Sequence, residues 1–318
     1  MSDHPPAAYE TLSSPTAIGE GLAGVGYIST PDISMALFLA AKLRKPVLIE
    51  GPAGVGKTDL ARSLASFLGL PLCRLQCYEG LDEAKALYEW KYGKQLLYTQ
   101  LLKERLDEVL GDGDFDALTG QLSRFEDVFF SENFLAPRPL LTALQQSDGA
   151  VLLIDEIDKS DEAFEAFLLE ILSEFQVTIP ELGTLSAQVP PLVILTSNAA
   201  RDLGDALKRR CLHLFIGFPD LEREQKIVRA RVPGIEDALL KRLVAFVQAV
   251  RGEDLRKYPS ISESVDWAQA LVLLHAEALG EDLVRSTLNV LLKHQSDIDA
   301  LDPKIPALVR AAANGSNS

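Results

Sequence analysis

The stretch GPAGVGKT, residues 51–58, constrains the fold of this chain more than any other feature of its sequence. A short apolar run, PVLIE, precedes it, and a run with helical spacing follows from Lys57 to Leu68 and stops at Gly69. Glycines at this spacing let the backbone wrap with its N–H groups pointing inward, and the helix that follows presents its positive end to anions. A strand, this loop and a helix in succession therefore predict an α/β protein with a phosphate-binding loop.

Each position of the predicted phosphate-binding loop has a chemical role. Lys57 supplies a positive charge to the β- and γ-phosphates of a nucleotide, and Thr58 offers a hydroxyl to Mg²⁺. The residues before them wrap the β-phosphate with backbone N–H groups, and the glycines among them allow the required backbone angles. The expected nucleotide-binding residues of the loop are Gly51, Pro52, Ala53, Gly54, Val55, Gly56, Lys57 and Thr58.

Two later apolar runs end in polar residues. VLLIDEID (151–158) places Asp155 and Glu156 after four apolar residues, and VILTSN (193–198) ends at Asn198. Burying carboxylates at a strand end is unfavourable unless they have a function. We therefore expect Asp155 to join the nucleotide site and hold Mg²⁺, and Glu156 to polarise a water for attack on the γ-phosphate. Asn198 is placed to orient that water, and the consecutive acids favour ATP hydrolysis over transfer to a small-molecule hydroxyl.

Further along the chain, short apolar strands alternate with helical segments. Strands are expected near 72–76, 151–155, 192–196 and 212–216 in addition to the run before the loop, and this alternation predicts a parallel five-stranded sheet covered on both faces. Beyond the last strand the apolar residues fall at helical spacing only, which predicts an all-helical domain of about four helices. The expected organisation is a flexible tail at 1–17, an α/β core at 18–218, a helical lid domain at 219–312 and a disordered tail at 313–318.

The bulk composition argues against some classes of partner. The formal net charge is −15 and the pI is about 4.8, so the chain repels phosphate backbones, and no nucleic-acid partner is expected. Because no run of about 18 apolar residues occurs, membrane insertion is not expected. The N-terminus lacks a basic region followed by an apolar run, which indicates a cytoplasmic protein without a signal peptide.

The motifs, in the order in which they occur along the chain, resemble those of the AAA+ ATPases, and within them those of the MoxR family. The resemblance covers roughly residues 20–310 and extends from the phosphate loop to the helical lid. It includes the acids Asp155 and Glu156, the strand that ends at Asn198, and arginines before the last strand. RLQCYEGLDEAKALYEW and the later run TSNAARDLGDALKRRCL look like the CoxD-type branch of that family.

The resemblance implies a P-loop NTPase (AAA+) core with a lid, ATP and Mg²⁺ as cofactors, and a ring-shaped homo-oligomer, typically a hexamer. Members of this branch are linked to maturation of molybdenum-containing carbon monoxide dehydrogenase-like enzymes, with a partner that carries a von Willebrand factor A domain. The implied function is a chaperone ATPase that remodels or matures a client metalloenzyme. Two alternatives stay open. One is an AAA+ motor of the McrB- or dynein-related kind, and the other is a DNA-dependent clamp-loader or helicase-like ATPase, against which the net charge argues.

Three consecutive cations, Lys208 to Arg210, stand directly before the last apolar run of an acidic chain. One interpretation is a solvated helix end, because cations suit a helix C-terminus. The resemblance implies another, in which a guanidinium completes the ATP site of a neighbouring subunit and is worth about 10³-fold or more in rate. The arginine-cysteine ending of related ATPases favours Arg210 for this role, with Arg209 as the second candidate.

Two further expectations concern the hairpin and the lid. QVTIPELGTLSAQVP predicts a β-hairpin at about 176–189, after an amphipathic helix capped by Ser160. The hairpin resembles a family insert that would lie near the central pore of a ring, and an ordinary edge hairpin is the alternative. Glu263 occupies the position at which many AAA+ proteins have a nucleotide-sensing lid arginine. Lid sensing is therefore weak, or another cation substitutes; Arg256 is nearby in sequence.

Overall fold

A sheet of five parallel strands forms the centre of the molecule, of which the computed structural model describes residues 7–109, 131–180 and 182–315. The strands of this sheet are β1 (Val47–Glu50), β2 (Leu72–Gln76), β5 (Val151–Asp155), β8 (Leu192–Ser197) and β9 (Leu212–Phe215). Their order across the sheet is β2-β5-β8-β1-β9, and every neighbouring pair is parallel. The predicted α/β class and the parallel five-stranded sheet are confirmed.

Both faces of the sheet are buried along its inner strands β1, β5 and β8, which explains why the residues of these strands are mostly apolar instead of alternating with polar residues. All five residues of β5 are buried. Leu152 and Ile154 belong to the core on one face, and Val151 and Leu153 belong to the core on the other. Because the strands are parallel, their carboxyl ends meet at one edge of the sheet, and the polar residues that end them are brought together there.

Helices cover the two faces of the sheet. One face is covered by α2 (Pro15–Gly24), α3 (Pro31–Leu43) and α4 (Lys57–Leu68), and the other by α7 (Pro139–Leu144), α8 (Glu162–Glu174) and α9 (Asp205–Arg210). The Thr30 hydroxyl caps α3 by accepting the Ile33 N–H at 3.3 Å, and Pro31 is the first helical residue. α4 ends at Gly69, whose φ of 64° lies in the left-handed region that favours glycine.

The N-terminal segment, where a flexible tail was expected at 1–17, contains helical residues from residue 7 onward. A short helix, α1 (Ala7–Glu10), precedes Ser14, whose hydroxyl caps α2 by accepting a backbone N–H at 3.1 Å. The Tyr9 hydroxyl donates to the carbonyl oxygen of Pro190 at 2.9 Å and so holds the segment to the core. Ser14 and Pro15 stand at the start of α2, a position at which both residue types are favoured. The first six residues lie outside the described range.

A small second sheet that was not predicted lies between β2 and β5 in the chain. α5 (Glu83–Leu87) leads into β3 (Tyr88–Trp90), which pairs antiparallel with β4 (Leu135–Pro137). α6 (Tyr92–Val109) follows β3, and residues 110–130 lie outside the described ranges. Strands of three residues are too short to show a period of two, so the sequence pattern does not reveal them.

The hairpin expected at about 176–189 is present. It consists of β6 (Gln176–Ile179) and β7 (Gly183–Ser186), which pair antiparallel. The Ala187 N–H donates to the Phe175 carbonyl oxygen at 2.9 Å and closes the base of the hairpin.

The helix before the hairpin begins one residue later than expected. Its cap is Asp161, whose carboxylate accepts the Phe164 N–H at 2.8 Å. The Ser160 hydroxyl, which was predicted as the cap, instead donates to the carbonyl oxygen of Ile157 at 2.8 Å. Serine and aspartate are both good caps, so two of them in succession leave the choice to the tertiary structure.

The chain after β9 is helical, as predicted, but its described part contains six α-helices instead of about four. They are α10 (Leu221–Arg231), α11 (Asp237–Arg251), α12 (Ile261–Leu273), α13 (Glu281–Leu291), α14 (Gln295–Leu301) and α15 (Ile305–Gly315). α14 has only 7 residues, which is too short for a recognisable helical period. α15 continues past 312, where a disordered tail was expected, and residues 316–318 lie outside the described range. Within the described ranges, no helix is long and apolar enough to cross a bilayer.

A buried ion pair joins three of these helices. The carboxylate of Glu224 is fully buried and lies 2.7 Å from both terminal nitrogens of Arg251. It also accepts hydrogen bonds of 2.7 Å from the Ser264 hydroxyl and the Gln248 amide. Arg251 donates in addition to the carbonyl oxygen of Pro259 at 2.8 Å. The pair therefore fixes the chain just before α12, which begins beside the loop between β1 and α4.

Candidate functional site

The loop between β1 and α4 has a backbone that only glycine adopts readily at several positions. Gly51, Gly54 and Gly56 have φ angles of 152°, 74° and 94°. A Cβ atom added at Gly51 would lie 2.0 Å from the carbonyl oxygen of Ile216, and one added at Gly54 would lie 2.2 Å from the hydroxyl oxygen of Ser260. These glycines therefore allow both the turn and the close approach of the neighbouring chain.

Lys57 is the first residue of α4, and its ammonium group turns back over the loop. Its Nζ donates to the carbonyl oxygens of Gly51 and Pro52 at 2.7 Å each, and to Oδ1 of Asn198 at 2.8 Å. Burial lowers the pKa of Lys57 below its usual range, and the negative charge of Asp158, with the other nearby acids, opposes that shift. The structure therefore brings the lysine of the loop into direct contact with the asparagine at the end of β8.

Asp155 ends β5 and is almost completely buried. Its Oδ1 accepts from the hydroxyls of Thr58 at 2.9 Å and Thr196 at 2.6 Å. Its Oδ2 is paired with the Arg74 guanidinium at 2.6 Å. A hydroxyl and a carboxylate in contact are oxygen ligands of the kind that Mg²⁺ takes when nucleotide phosphates and waters supply the rest. The donor set of Thr58 and Asp155 therefore fits a nucleotide-bound Mg²⁺.

Glu156 follows β5 in a left-handed conformation, with a φ of 57°. Its Oε1 accepts from the Asn198 amide at 3.3 Å, and its Oε2 accepts from the Gln76 amide at 2.8 Å and is paired with Lys159 at 2.5 Å. The hydrogen bond to Glu156 raises the pKa of Lys159. The backbone N–H of Glu156 donates to the Thr196 hydroxyl at 2.9 Å, and the same hydroxyl bonds Asp155. Both acids and the asparagine are thus linked across β5 and β8.

Two adjoining cavities open along the loop. The first, of about 260 Å³, is lined by residues predicted for the site together with Arg62, Thr196 and Ser262. The predicted residues that line it are Ala53, Gly54, Gly56, Lys57, Thr58, Asp155, Glu156 and Asn198. The second, of about 300 Å³, shares part of the loop and is lined by apolar side chains such as Ile227 and Ile261 and by Tyr27. Burial raises the pKa of Tyr27 to about 12.

A family model described as "AAA domain (dynein-related subfamily)" matches residues 46–211, from the residue before β1 to the residue after α9. The chain belongs to this family. The matched range contains the loop, both acids and Asn198.

Curated relatives of this AAA protein include two named proteins at low identity. The gas vesicle ATPase GvpN1 of Halobacterium salinarum is 26% identical over 216 residues, which are 65% of this chain and 56% of that protein. The protein NorQ of Paracoccus denitrificans is 24% identical over 250 residues, which are 75% of this chain and 78% of NorQ. These relatives are AAA+ ATPases of the MoxR type, and the resemblance to that family is confirmed. This chain spans just over half of the length of GvpN1.

Among solved structures, the AAA protein is similar to a Holliday junction branch migration motor, RuvB of Thermotoga maritima. The match has a TM-score of 0.44 and 21% identity, and it covers 86% of this chain and 69% of that chain.

The two arginines at the end of α9 lie apart from this site. Arg209 and Arg210 are exposed, and neither lines the two cavities. Arg210 donates through Nε to the hydroxyl of Ser173 at 2.5 Å and through Nη1 to the carbonyl oxygen of Ala206 at 3.3 Å. The structure does not bring these arginines to the cavities of their own chain, so their predicted role in another subunit stays a prediction.

Several residues at the site were not anticipated from the sequence. Arg74 and Gln76, which contact Asp155 and Glu156, alternate with apolar residues on β2 and share one face of that strand. Two polar residues at a spacing of two in an otherwise apolar strand are the signal that could have revealed them. Thr196 offers a weaker signal, since a threonine within an apolar strand is common.

Glu263, which stands at the start of α12 where the family resemblance implied an arginine, has a structural role. The Glu263 carboxylate accepts the Ser260 N–H at 2.9 Å and completes a capping box. Arg256, considered as a substitute cation, does not line the cavities; its backbone N–H donates to Asp297 at 3.0 Å. The exposed cation Arg62 on α4 does line the first cavity.

Proposed function

We propose that this chain is a Mg²⁺-dependent ATP hydrolase that uses the energy of hydrolysis to remodel a protein partner. One observation carries the proposal. Glu156 and Asn198 line the same cavity as Lys57, Thr58 and Asp155, so a water activator faces a phosphate-binding loop. This is the arrangement that in-line attack on a γ-phosphate requires.

The phosphates are bound by the loop and the start of α4. Backbone N–H groups of residues 51–56 wrap the β-phosphate, and Lys57 neutralises charge on the β- and γ-phosphates. Thr58 and Asp155 hold Mg²⁺, which when bound neutralises the charge that develops on the phosphate oxygens. The second cavity, with apolar walls and Tyr27, takes the nucleoside.

The water is activated by the residues at the ends of β5 and β8. Glu156 accepts the proton of the attacking water as its oxygen approaches the γ-phosphorus. The Asn198 amide, which is 3.3 Å from the Glu156 carboxylate, orients the same water. The contact of Asn198 with Lys57 at 2.8 Å supports this role, because it places the amide beside the group that binds the γ-phosphate.

The site is completed by a neighbouring subunit in a ring-shaped homo-oligomer, with a hexamer as the expected form. Arg210, or Arg209 in its place, supplies a guanidinium to the γ-phosphate of the adjacent subunit. Both arginines are exposed and neither lines the two cavities of its own chain, which supports a role in another subunit. In mixtures with wild type, we expect Arg210→Ala subunits to bind ATP and to lower activity by more than their share. A loss in simple proportion to the mutant fraction would contradict a role in trans.

The proposed partner is a client metalloenzyme of the molybdenum hydroxylase or carbon monoxide dehydrogenase-like class, acting with a von Willebrand factor A domain protein. The motifs of the CoxD-type branch support this choice, and the hairpin β6–β7 is proposed to contact the client near the central pore. The net charge of −15 argues against nucleic acid as partner, and the proposal includes a cytoplasmic location without membrane insertion.

The client assignment can be tested with a variant that is trapped with ATP. Glu156→Gln removes the proton acceptor while leaving the phosphate-binding residues in place, so a complex with the client should persist. Affinity purification of this variant with ATP and Mg²⁺ should recover a molybdenum enzyme or a von Willebrand factor A protein. Recovery of neither, from cells that express both, would refute the maturation role without affecting the assignment of ATP hydrolysis.

A second candidate is an AAA+ motor that serves another complex. The description of the matching family as the dynein-related subfamily favours it. In this case the same purification would recover subunits of a different assembly, and a molybdenum enzyme would be absent.

A further inference from the structure

The loop that joins Asn198 to α9 is held by two buried carboxylates. Asp158 and Glu165 each expose only 5% of their surface. A buried carboxylate is unfavourable unless it is hydrogen-bonded or paired with a cation. One oxygen of Asp158 and both oxygens of Glu165 contact the backbone or side chains of residues 198–204. The other oxygen of Asp158 is buried without a hydrogen-bond partner among the described residues. One end of that loop is the asparagine of the ATP site, and the other end is the first turn of the helix that carries Arg209 and Arg210.

Asp158 fixes the beginning of the loop. Its Oδ2 accepts the backbone N–H of Asn198 at 3.2 Å and that of Ala200 at 3.0 Å. Ala199, between them, has a φ of 56°, which lies in the left-handed region. One carboxylate oxygen thus bridges two N–H groups across a strained residue, and this bridge sets the direction in which the Asn198 side chain leaves the backbone.

Glu165 fixes the end of the loop. Its Oε2 accepts the backbone N–H of Gly204, the residue before α9, at 2.8 Å. Its Oε1 is paired with the Arg201 guanidinium at 2.5 Å, and Arg201 donates in turn to the carbonyl oxygen of Ser160 at 2.6 Å. A Cβ atom added at Gly204 would lie 3.0 Å from Oε2 of Glu165. The start of α9 is therefore in close contact with α8.

We propose that Asp158 and the Glu165–Arg201 pair are positioning residues for two different ATP sites. Asp158 positions Asn198 in the site of its own chain. Glu165 and Arg201 position α9, and with it Arg210, for the site of the adjacent subunit. The second half rests on the proposed function, because it requires Arg210 to act in trans.

The two halves can be separated in mixed oligomers of the full chain. Lys57→Ala subunits lack a working phosphate site but keep their arginines, so they serve as arginine donors. Arg210→Ala subunits keep the phosphate site and serve as site donors. Neither variant hydrolyses ATP well alone, and a mixture regains activity only where an intact site meets an intact Arg210 from its neighbour.

Glu165→Gln and, separately, Arg201→Gln are then added to one kind of subunit at a time. In the arginine donor, each should lower the activity of the mixture about 10-fold or more, because small misplacements of a catalytic group have effects of this size. In the site donor, each should change the activity by less than about 2-fold, since the arginine of that subunit is already absent. Glu170→Gln, an exposed acid on the same helix, is the matched control and should have no effect in either subunit.

Asp158 variants should show the opposite dependence. Asp158→Ala in the site donor should lower kcat about 10-fold or more while leaving the KM for ATP within about 2-fold, because the phosphate-binding residues are not displaced. Asp158→Asn keeps one oxygen that can accept both N–H groups, so it should restore most of the lost activity. In the arginine donor, both substitutions should have little effect.

Three results would overturn the inference. Equal losses from Glu165→Gln in the two kinds of subunit would mean that Glu165 supports the fold alone. A loss from Asp158→Ala that Asp158→Asn does not reduce, or that appears mainly in KM, would exclude the positioning of Asn198. If mixtures of Lys57→Ala and Arg210→Ala subunits regain no activity, the trans role of Arg210 is wrong. The proposed positioning role of Glu165 and Arg201 is then refuted as well. The Asp158 half is then decided by kcat and KM of the Asp158 variants alone.

Discussion

The ion pair between Glu224 and Arg251 allows a stability prediction that can be worked out from its contacts. Glu224 is fully buried, and the Arg251 side chain exposes 7% of its surface. The perturbation is a double-mutant cycle with Glu224→Leu, Arg251→Met and the two combined. Each single substitution leaves a buried charge without its partner, whereas the double substitution removes both charges.

The expected magnitudes follow from the hydrogen bonds. Breaking a buried pair by removing one partner lowers the free energy of unfolding by about 3–5 kcal/mol. Counting bonds gives a similar figure, because Arg251 donates two charge-assisted bonds to Glu224, each worth about 1.5–3 kcal/mol. In the double variant the Ser264 hydroxyl keeps its bond to the carbonyl of Ser260. The Gln248 amide loses its bond to Glu224 but keeps its bond to the carbonyl oxygen of Pro219 at 3.0 Å. The main loss left is the bond from Arg251 to Pro259, so the double variant should be destabilised by only about 1–3 kcal/mol.

The assay is urea unfolding followed by tryptophan fluorescence. The chain has two tryptophans, and in a Trp90→Phe background the signal comes from Trp267 alone, which is fully buried in the same helical region. Glu222→Leu is the matched control, since Glu222 is an exposed acid on the same helix in an exposed pair with Lys226. It should change the free energy of unfolding by no more than about 0.5 kcal/mol.

Two results would refute this reasoning. If each single variant is destabilised by less than about 1 kcal/mol, the pair is not desolvated as its contacts indicate. If the double variant is destabilised by the sum of the two singles, the substitutions act independently, and no coupling exists between the charges.

Three further predictions concern the nucleotide site. Glu156→Gln should keep ATP binding and lower kcat by about 10²–10⁴-fold, as measured by phosphate release, and normal turnover would contradict its role as proton acceptor. Lys57→Ala should weaken ATP binding at least ~10-fold by calorimetry, since one charge at the phosphates is lost, and an unchanged Kd would exclude this role. Gly54→Ala should lower the free energy of unfolding by about 1–3 kcal/mol, because φ is 74° and its Cβ would lie 2.5 Å from that of Ser260. Gly24→Ala, whose Cβ would meet nothing within 4 Å, is its control and should be neutral or stabilising.

The sequence predicted those features of the site that are encoded within a short stretch of chain. The glycines before Lys57 predict the geometry of the loop, and the apolar run before Asp155 predicts a buried strand. Both predictions depend only on residues that are neighbours in the sequence. The parallel arrangement of the strands then requires these stretches to meet at one edge of the sheet. Asn198 could be assigned to the site for the same reason.

Features that depend on contacts between distant segments could not be predicted. Arg74 contacts Asp155 only because β2 and β5 are neighbours in the sheet. The sequence of a single strand does not determine the order of the strands. The N-terminal segment contains ordinary turn and cap residues, and the bond from Tyr9 to Pro190 could not be inferred from them. The spacing of Glu263 from Ser260 fits a capping box, whereas the resemblance to lid sequences predicts a cation at this position.

The ammonium group of Lys57 has a consequence for how nucleotide affinity should be interpreted. A lysine has three N–H donors, and all three are already engaged, by Gly51, Pro52 and Asn198. Any bond from this lysine to a phosphate must therefore replace one that exists before the ligand arrives. Measured affinity then reports an exchange of acceptors, and a phosphate that takes the place of Oδ1 of Asn198 leaves that oxygen in need of a new donor. Because the same amide donates to Glu156 at 3.3 Å, the acceptor set free by the phosphate lies beside the proposed water activator.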